Sequence, residues 1–434
     1  MRILWLCNKC IPAVAKKRGI ETGNKEGWLA GISERVLSEK AQEIELGVCF
    51  PVAAESEEFS EHYPGVWAYG FYENPKHPEV YDTSLEDKMR AILEDFKPDI
   101  VHIFGTEYPH TLAMVRAFGK PEKILIGIQG LCSLCSKVYL DGIPMGIEKK
   151  STFRDWIKRD NLIMQKIKFE ERGQLEEQAI RRCINITGRT EWDRISTNRI
   201  NPDAKYYPMN ETLRSNFYHS DWDYAACKKH SIFVSQGDYP IKGFHYMLRA
   251  LPLIREKYPD VTVSVAGNDI VGFHNLKKSI LISEYGKYLK ELIQKNDLSG
   301  IVTFCGSLSA DKMKEQFLKS HVFVLCSVLE NSPNALGEAM LLGMPCVASL
   351  VGGVESMISR QEGYCYSDSS PEKLAESVIR AFEETDLAKG RTKREEKARQ
   401  RAQKTHDPDT NYNRLMEIYE EIYKRNRKET GFMK

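Results

Sequence analysis

Residues 321–353, HVFVLCSVLENSPNALGEAMLLGMPCVASLVGG, constrain the fold more than any other stretch of the chain. The apolar run 321–328 has the length and branched side chains of a buried strand. Pro333 suits the first helical position after Ser332, where its missing N–H costs nothing. The helix it opens carries Glu338, then Ala339, Met340, Leu341 and Leu342. Gly343 followed by Pro345 ends it. Residues 346–349 read as a second short strand leading to Gly352-Gly353. Strand, acidic loop, helix, strand is one turn of a parallel α/β sheet. Glu330 lies in the loop, and Glu338 follows eight positions later. Amides at the helix start, at Asn334 and Ala335, suit a phosphate. A carboxylate before the helix and another within it suit sugar hydroxyls. The combination points to a nucleotide-sugar site.

The same alternation fills the rest of the chain. The first half offers strands at 2–7, 44–50, 99–105, 124–130 and 184–190, with helical stretches such as 28–43 and 85–97 between them. That pattern predicts a mainly parallel sheet whose working end is the C-terminal edge of the strands. Residues 200–230 are polar and aromatic without sustained period, and read as a linker. Strands resume at 231–237, 261–267 and 301–306. A length of 434 residues favours two domains of about 200 residues each. The expected architecture is therefore α/β, with two Rossmann-like domains facing a cleft: 1–215 and 216–405. The last segment, 406–434, carries Leu415, Ile418, Tyr419, Ile422 and Tyr423 at helical spacing, a stripe that must pack against something.

Charge and composition remove several classes. A formal net charge of +1 argues against nucleic acid as the main partner. No apolar run reaches the roughly 20 residues of a spanning helix. The start, MRILWLCN, is too short for a signal peptide and reads as a first buried strand. Eleven cysteines, mostly inside apolar runs, suggest reduced thiols and a cytoplasmic protein. Cys7 with Cys10 and Cys132 with Cys135 follow strands, so a four-thiolate zinc site competes with incidental placement. Asp221-Trp222-Asp223 and Asp407-Pro408-Asp409 spell a metal-binding motif, but neither follows a strand. Both read as polar linker, and no metal is expected. Between Lys149 and Lys168 seven Lys or Arg face two Asp, interleaved with Phe153, Trp156, Ile157, Ile163, Met164 and Ile167. An amphipathic helix on an anionic membrane surface competes there with a helix whose apolar stripe enters the core. Lys389 to Lys404 holds eight basic residues against two acidic and reads as a solvated face without function.

Taken together these residues resemble the retaining glycosyltransferases of family 4, which have the two-domain GT-B fold. The resemblance rests on Glu330, Glu338-Ala339-Met340, Gly343, Pro345, Ala348-Ser349 and Gly352-Gly353. It extends to SQGDYPIKGFHYMLRAL at 235–251, which looks like the family's phosphate loop, and to KPDIVHIFGT at 97–106. EGWLAG at 26–31 resembles its Gly-rich loop. The resemblance implies that Lys242 contacts the donor diphosphate, that Glu338 binds the nucleotide ribose and that Glu330 binds the donor sugar or its reacting end. It places Ser235, Gln236, Gly27 and the amides of Asn334 and Ala335 among the donor contacts. It also implies that the C-terminal helix crosses back onto the N-terminal domain.

This chain departs from the family pattern at two points. Asp238 stands where an arginine is usual, and the loop to Lys242 is one residue short. Arg189 or Arg214 could supply the missing charge, or Lys242 could act with the helix amides alone. Gln129 stands where the family often has a histidine touching the donor sugar. A glutamine amide can orient a hydroxyl as donor and acceptor. His102, His110 and Glu107, on or just after the strand at 99–105, are candidates to reach the acceptor or to serve the fold.

The implied activity is a retaining, metal-independent transfer of a sugar from a nucleoside-diphosphate sugar to a hydroxyl acceptor, without cofactor. The acceptor would be a glycan, a lipid-linked glycan or a protein, in polysaccharide or glycoconjugate assembly. A nucleotide-sugar epimerase on the same fold and a non-catalytic sugar-nucleotide binder are the competing functions. The expected location is the cytoplasm, with peripheral contact at the inner membrane face.

Overall fold

A computed structural model describes residues 1–20, 27–38, 44–272, 281–367 and 370–431. The chain divides into two compact units. One comprises Met1–Ser136, Lys168–Leu213 and His406–Lys434, the other Lys137–Ile167 and Arg214–Thr405. Residues 137–167 thus pack with the second unit, whereas the sequence placed them in the first domain. No helix among the described residues is long and apolar enough to cross a membrane.

The first unit is built on eight strands: β1 Arg2–Cys7, β2 Glu45–Val52, β3 Phe59–Tyr63, β4 Val66–Tyr72, β5 Ile100–Phe104, β6 Ile124–Gly127, β7 Asn185–Gly188 and β8 Lys205–Pro208. Their order is β3-β4-β2-β1-β5-β6-β7-β8. All neighbours are parallel except β3, which pairs antiparallel with β4 as an edge strand. Ile3 at the centre pairs with Leu46 on one side and Ile100 on the other. The sequence located five of these strands and missed β3, β4 and β8. β8 lies inside the expected linker, and of its four residues Tyr207 alone is buried, so it carries too little apolar signal to stand out.

Apolar clusters cover both faces of this sheet. One face is sealed by the helix Pro408–Gly431. Its Leu415, Ile418, Tyr419 and Ile422 are fully buried with Ile3, Trp5 and Val48. The indole N–H of Trp5 donates to the Tyr419 hydroxyl at 2.8 Å. The C-terminal stripe therefore belongs to the first unit, because that is where its apolar face is covered.

The second unit holds β9 Lys228–Val234, β10 Thr262–Val265, β11 Val302–Phe304, β12 Ser320–Leu325, β13 Cys346–Ser349 and β14 Tyr364–Tyr366. The order is β11-β10-β9-β12-β13-β14, all parallel. Counted along this unit, that is 3-2-1-4-5-6, the doubly wound arrangement. The strand order reverses between β9 and β12, where ligands settle against the C-terminal strand ends.

Two basic segments differ from expectation. Residues 149–168 do not form one helix. They follow the short helix Met145–Glu148 and contribute to two, Phe153–Lys158 and Leu162–Arg181. Arg159 at φ +48° ends the helix Phe153–Lys158 with a left-handed turn. The basic run near 390–404 is not a bare solvated face. It forms the helix Lys393–Thr405, with Ala398 and Ala402 buried, and packs on the helix Asn334–Leu342.

Candidate functional site

In the second unit the loops after β9 and β12 meet at the switch point. After β9 come Ser235 and Gln236, then the turn Pro240–Lys242, and Gly243 starts the helix Phe244–Lys257. The Val328 amide donates to the Ile241 carbonyl at 2.8 Å and ties the two loops together. Gly243 is required twice over. Its φ is +65°, and a Cβ there would stand 1.9 Å from the Cys326 carbonyl oxygen, so any larger residue must push the loops apart.

That closeness places the Lys242 ammonium 2.7 Å from Glu330 Oε1. The Ser327 hydroxyl donates to the same oxygen at 2.7 Å. Burial pulls the lysine down, but the Glu330 charge and hydrogen bond outweigh it and hold its pKa above the ordinary value. Lys242 is therefore a persistent cation at the switch point. The Glu330 backbone is itself fixed, since the Gly353 amide donates to its carbonyl at 2.9 Å. Gly352, at φ +56°, leaves room where a Cβ would fall 2.2 Å from that carbonyl. The paired glycines serve the carboxylate's placement.

The helix Asn334–Leu342 follows directly. Pro333 is its N-cap, at φ −68° and ψ 116°, so the helix begins one residue later than the sequence suggested. Pro333 keeps extended backbone, and Asn334 and Ala335 become the first two helical residues. Their amides are among those a helix leaves without an internal partner. Gly343 ends the helix in the left-handed conformation, φ +68°, as expected. Arg391 caps this end. Its Nε donates to the Gly343 carbonyl at 3.0 Å and its NH2 to the Leu342 carbonyl at 3.0 Å. A cation there complements the helix dipole.

Glu338 is 2% exposed. Arg214 grips it with both prongs: Nε to Oε1 at 2.6 Å and NH2 to Oε2 at 2.5 Å. Burial raises the Glu338 carboxyl, and the guanidinium opposes that. Arg214 is thus engaged by Glu338 rather than standing ready for a diphosphate. No local pattern marks this pair, because its members lie 124 positions apart. Asp238 accepts from Gln236 Nε2 at 2.9 Å and from Asn268 Nδ2 at 3.3 Å, an amide-lined setting.

Gln129 belongs to the first unit, just beyond β6. Its Nε2 donates to Glu211 Oε1 at 2.8 Å, and Arg189 NH2 donates to its Oε1 at 3.2 Å. Arg189 also forms an ion pair with Glu211 and donates to the Ile128 carbonyl at 2.9 Å. Arg189, like Arg214, is committed within its own unit. Gln129, Arg189, His102 and Thr212 line a cavity of about 30 Å³, enough for a water molecule. Gly27 opens the helix Gly27–Val36. The expected Gly-rich loop is helical from that residue on, and Glu26 lies outside the described residues.

His102 serves the fold. Trp5 donates to the Tyr419 oxygen and Tyr419 lies 2.7 Å from His102 Nδ1. The indole can only donate, so the Tyr419 oxygen accepts from Trp5 while it also meets the imidazole, which ties the C-terminal helix to β1 and β5. Burial pushes His102 down to about 3, and burial above all pushes His406 down to about 4. Both are neutral when folded, whereas in the unfolded chain they titrate near 6.5. Folding stability should therefore fall as pH drops below 6.5, until each folded value is reached. At pH 5 the expected loss is on the order of 2 kcal/mol per histidine. Urea unfolding of the wild type and of His102→Asn at pH 7 and pH 5 checks this, the variant having the shallower dependence.

One polar cluster escaped the sequence reading in part. At the first unit's switch point, between β1 and β5, His110 Nδ1 meets Glu73 Oε2 at 2.7 Å and His110 Nε2 meets Asn8 Oδ1 at 3.0 Å. Asn8 Nδ2 donates to Glu107 Oε2 at 3.1 Å. His110 and Glu107 were candidates. Glu73 and Asn8 were not, although Asn8 directly follows the first strand.

The metal motifs are otherwise engaged. Asp221 pairs with Arg391 at 2.7 Å and with Arg399. Asp407 accepts from the Thr410 amide at 2.7 Å, and Asp409 pairs with Arg35 at 2.5 Å. The four cysteines considered for zinc are free thiols, with Cys7 and Cys132 buried. Among the described residues no group of three or more His, Cys, Asp or Glu is placed to hold a metal ion.

Comparison with known proteins bears on both units. Residues 221–404 match the family described as Glycosyl transferases group 1. An uncharacterized glycosyltransferase of Methanocaldococcus jannaschii is 29% identical over 157 residues, 36% of this chain and 36% of the relative. The matched stretch spans about a third of that relative's length. The spore coat protein SA of Bacillus subtilis is 30% identical over 206 residues, about half of its length. Sucrose-phosphate synthase of Thermosynechococcus elongatus superposes with a TM-score of 0.70 at 13% identity, covering 98% of this chain and 100% of that one. The Anabaena protein HepE in complex with UDP-glucose gives a TM-score of 0.67 at 14% identity, covering 97% and 100%. At such identities these two likenesses speak for the fold alone. Residues 221–404 are therefore similar to group 1 glycosyl transferases, and the chain as a whole has the GT-B fold.

Proposed function

We propose that this chain is a retaining, metal-independent glycosyltransferase that moves a sugar from a nucleoside-diphosphate sugar to a hydroxyl acceptor. The observation that carries the reading is the Lys242–Glu330 pair. It joins the loops after β9 and β12 at the second unit's switch point, beside a helix N-terminus. The family match over 221–404 supports it.

Glycosyl transfer breaks the bond between the anomeric carbon and a phosphate oxygen, so negative charge grows on the departing diphosphate. Lys242 and the amides of Asn334 and Ala335 supply the opposing charge and donors. Ser235 and Gln236, at the end of β9, line the diphosphate's approach. Glu338 accepts from the ribose hydroxyls with the lone pairs that Arg214 leaves, and Arg214 holds its carboxylate plane fixed. Glu330 is released from Lys242 when the diphosphate takes its place, and then accepts from a donor-sugar hydroxyl. This exchange couples donor binding to the sugar contact. Retention follows from front-side attack, in which the acceptor proton passes to the departing phosphate oxygen and no protein nucleophile is needed. The Asn8–Glu107–His110 cluster of the first unit is the candidate contact for a polyhydroxyl acceptor, in glycan or glycoconjugate assembly.

UDP-glucose is the first donor to try, because HepE was solved with it. Radiolabelled UDP-sugars, with and without glycan or lipid-linked acceptors, test the class. Acceptor-dependent transfer, with the donor's anomeric configuration kept in the product by NMR, is expected. Epimerised nucleotide sugar without acceptor, or binding without turnover, would overturn the reading. Activity should also survive excess EDTA, because Lys242 and the helix amides supply the charge a divalent ion would. A loss that manganese or magnesium restores would sink the metal-free mechanism.

A further inference from the structure

Four apolar side chains of the second unit stand in solvent within one short stretch. Met145 is 78% exposed, Phe153 62%, Trp156 73% and Ile157 57%. The Phe153 and Trp156 rings stack with centroids 6.4 Å apart. Phe153, Trp156 and Ile157 occupy positions i, i+3 and i+4 of the helix Phe153–Lys158, which is one face.

The fold turns this face outward. Asp155, the helix's acid, is 2% exposed. It completes a capping box with Thr152, and its Oδ2 accepts from the Glu284 amide at 2.8 Å. Arg154 NH1 covers its other oxygen at 2.8 Å. The carboxylate thereby pins the inner side of the helix to the start of the helix Glu284–Lys295, and the aromatic side is left outside.

The charges around the face have one sign. Lys149, Lys150, Lys158 and Arg159 are exposed. Asp155 is buried, and Glu148 and Asp160 are half-buried, so none of the stretch's carboxylates is exposed. An apolar aromatic face rimmed by cations complements a surface that is apolar beneath and anionic above. That describes a phospholipid bilayer with acidic headgroups. Tryptophan favours that boundary, since its ring is apolar and its N–H is polar. A core helix would have buried Phe153 and Trp156, and it does not.

We propose that residues 145–159 form a docking surface for an anionic lipid bilayer. Phe153, Trp156 and Ile157 enter the headgroup layer while Lys149, Lys150, Lys158 and Arg159 contact phosphates. The surface works whatever the sugar donor proves to be, so it stands or falls apart from the proposed activity.

The test uses the full chain and vesicles of phosphatidylcholine alone, or of phosphatidylcholine and phosphatidylglycerol at three to one. Co-sedimentation with the anionic vesicles at low salt is expected. It should weaken as salt rises, because screening acts within about 10 Å at 0.1 M. The double variant Phe153→Ser/Trp156→Ser should lower the partition coefficient about tenfold or more. Lys149→Glu/Lys150→Glu should abolish the preference for anionic over neutral vesicles. All four side chains are exposed, so both variants should unfold at the wild-type temperature, which circular dichroism checks. Equal binding by wild type and the aromatic variant would overturn the proposal, as would no binding to anionic vesicles at low salt. A wild-type dimer that the aromatic variant dissolves, with lipid binding unchanged, would assign the face to a second copy instead.

Discussion

Glu338→Ala should damage the fold and the donor site together. The substitution leaves the Arg214 guanidinium without its counter-ion, and the Arg214 side chain is only 11% exposed. Breaking a buried pair from one side costs about 3–5 kcal/mol, because the remaining charge stays desolvated. The same carboxylate is the proposed ribose contact, and its loss should weaken donor binding about ten- to a hundredfold. Two measurements separate the effects. Urea unfolding without ligand reads the first, and calorimetric titration with UDP-sugar reads the second. Arg214→Ala should destabilise to a similar degree. In the double variant the two losses should fall short of their sum, since the pair is already broken. If Glu338→Ala unfolds at the wild-type urea midpoint and binds donor as tightly, both roles are wrong.

Lys242→Met should stop the chemistry and also cost some stability, because Glu330, its side chain 13% exposed, loses its counter-ion. Glu330 keeps the Ser327 hydroxyl at 2.7 Å and the Gly353 amide on its carbonyl, so the loop retains its anchors. What is lost is the cation facing the leaving diphosphate. Removing one such preorganised charge or donor typically lowers turnover about 10²–10³-fold. Glu330→Ala should lower turnover with less effect on donor affinity, because its sugar contact matters most as the bond breaks. Steady-state kinetics on both variants, with thermal unfolding as control, decide this. A Lys242→Met enzyme with wild-type turnover would remove the lysine from the mechanism.

Much of the second unit was legible before any coordinates. Pro333, Gly343 and Gly352-Gly353 are local signals, each acting within a few residues, and they mark a turn of parallel α/β structure wherever it folds. The strand–helix alternation announced two doubly wound sheets, because apolar period and breaker residues are properties of the chain itself. The C-terminal stripe announced a packed helix on the same ground.

Other features depend on contacts between distant residues, and periodicity carries no record of those. Arg214 is one arginine among many until folding brings it onto Glu338. Gln129 reads as a free strand-end amide, yet it sits between Arg189 and Glu211. The basic run near Lys393 looked like solvated surface, and its neighbour Arg391 caps the helix that carries Glu338. The stretch from Lys149 to Lys168 left two outcomes open, core or membrane face. Amphipathic spacing says that a helix has two sides, not which side is covered. The buried Asp155, bonded to the start of the helix Glu284–Lys295, sets which side is covered and leaves Phe153 and Trp156 exposed. Local backbone preference thus set the elements, and long-range partners set what each side chain is for.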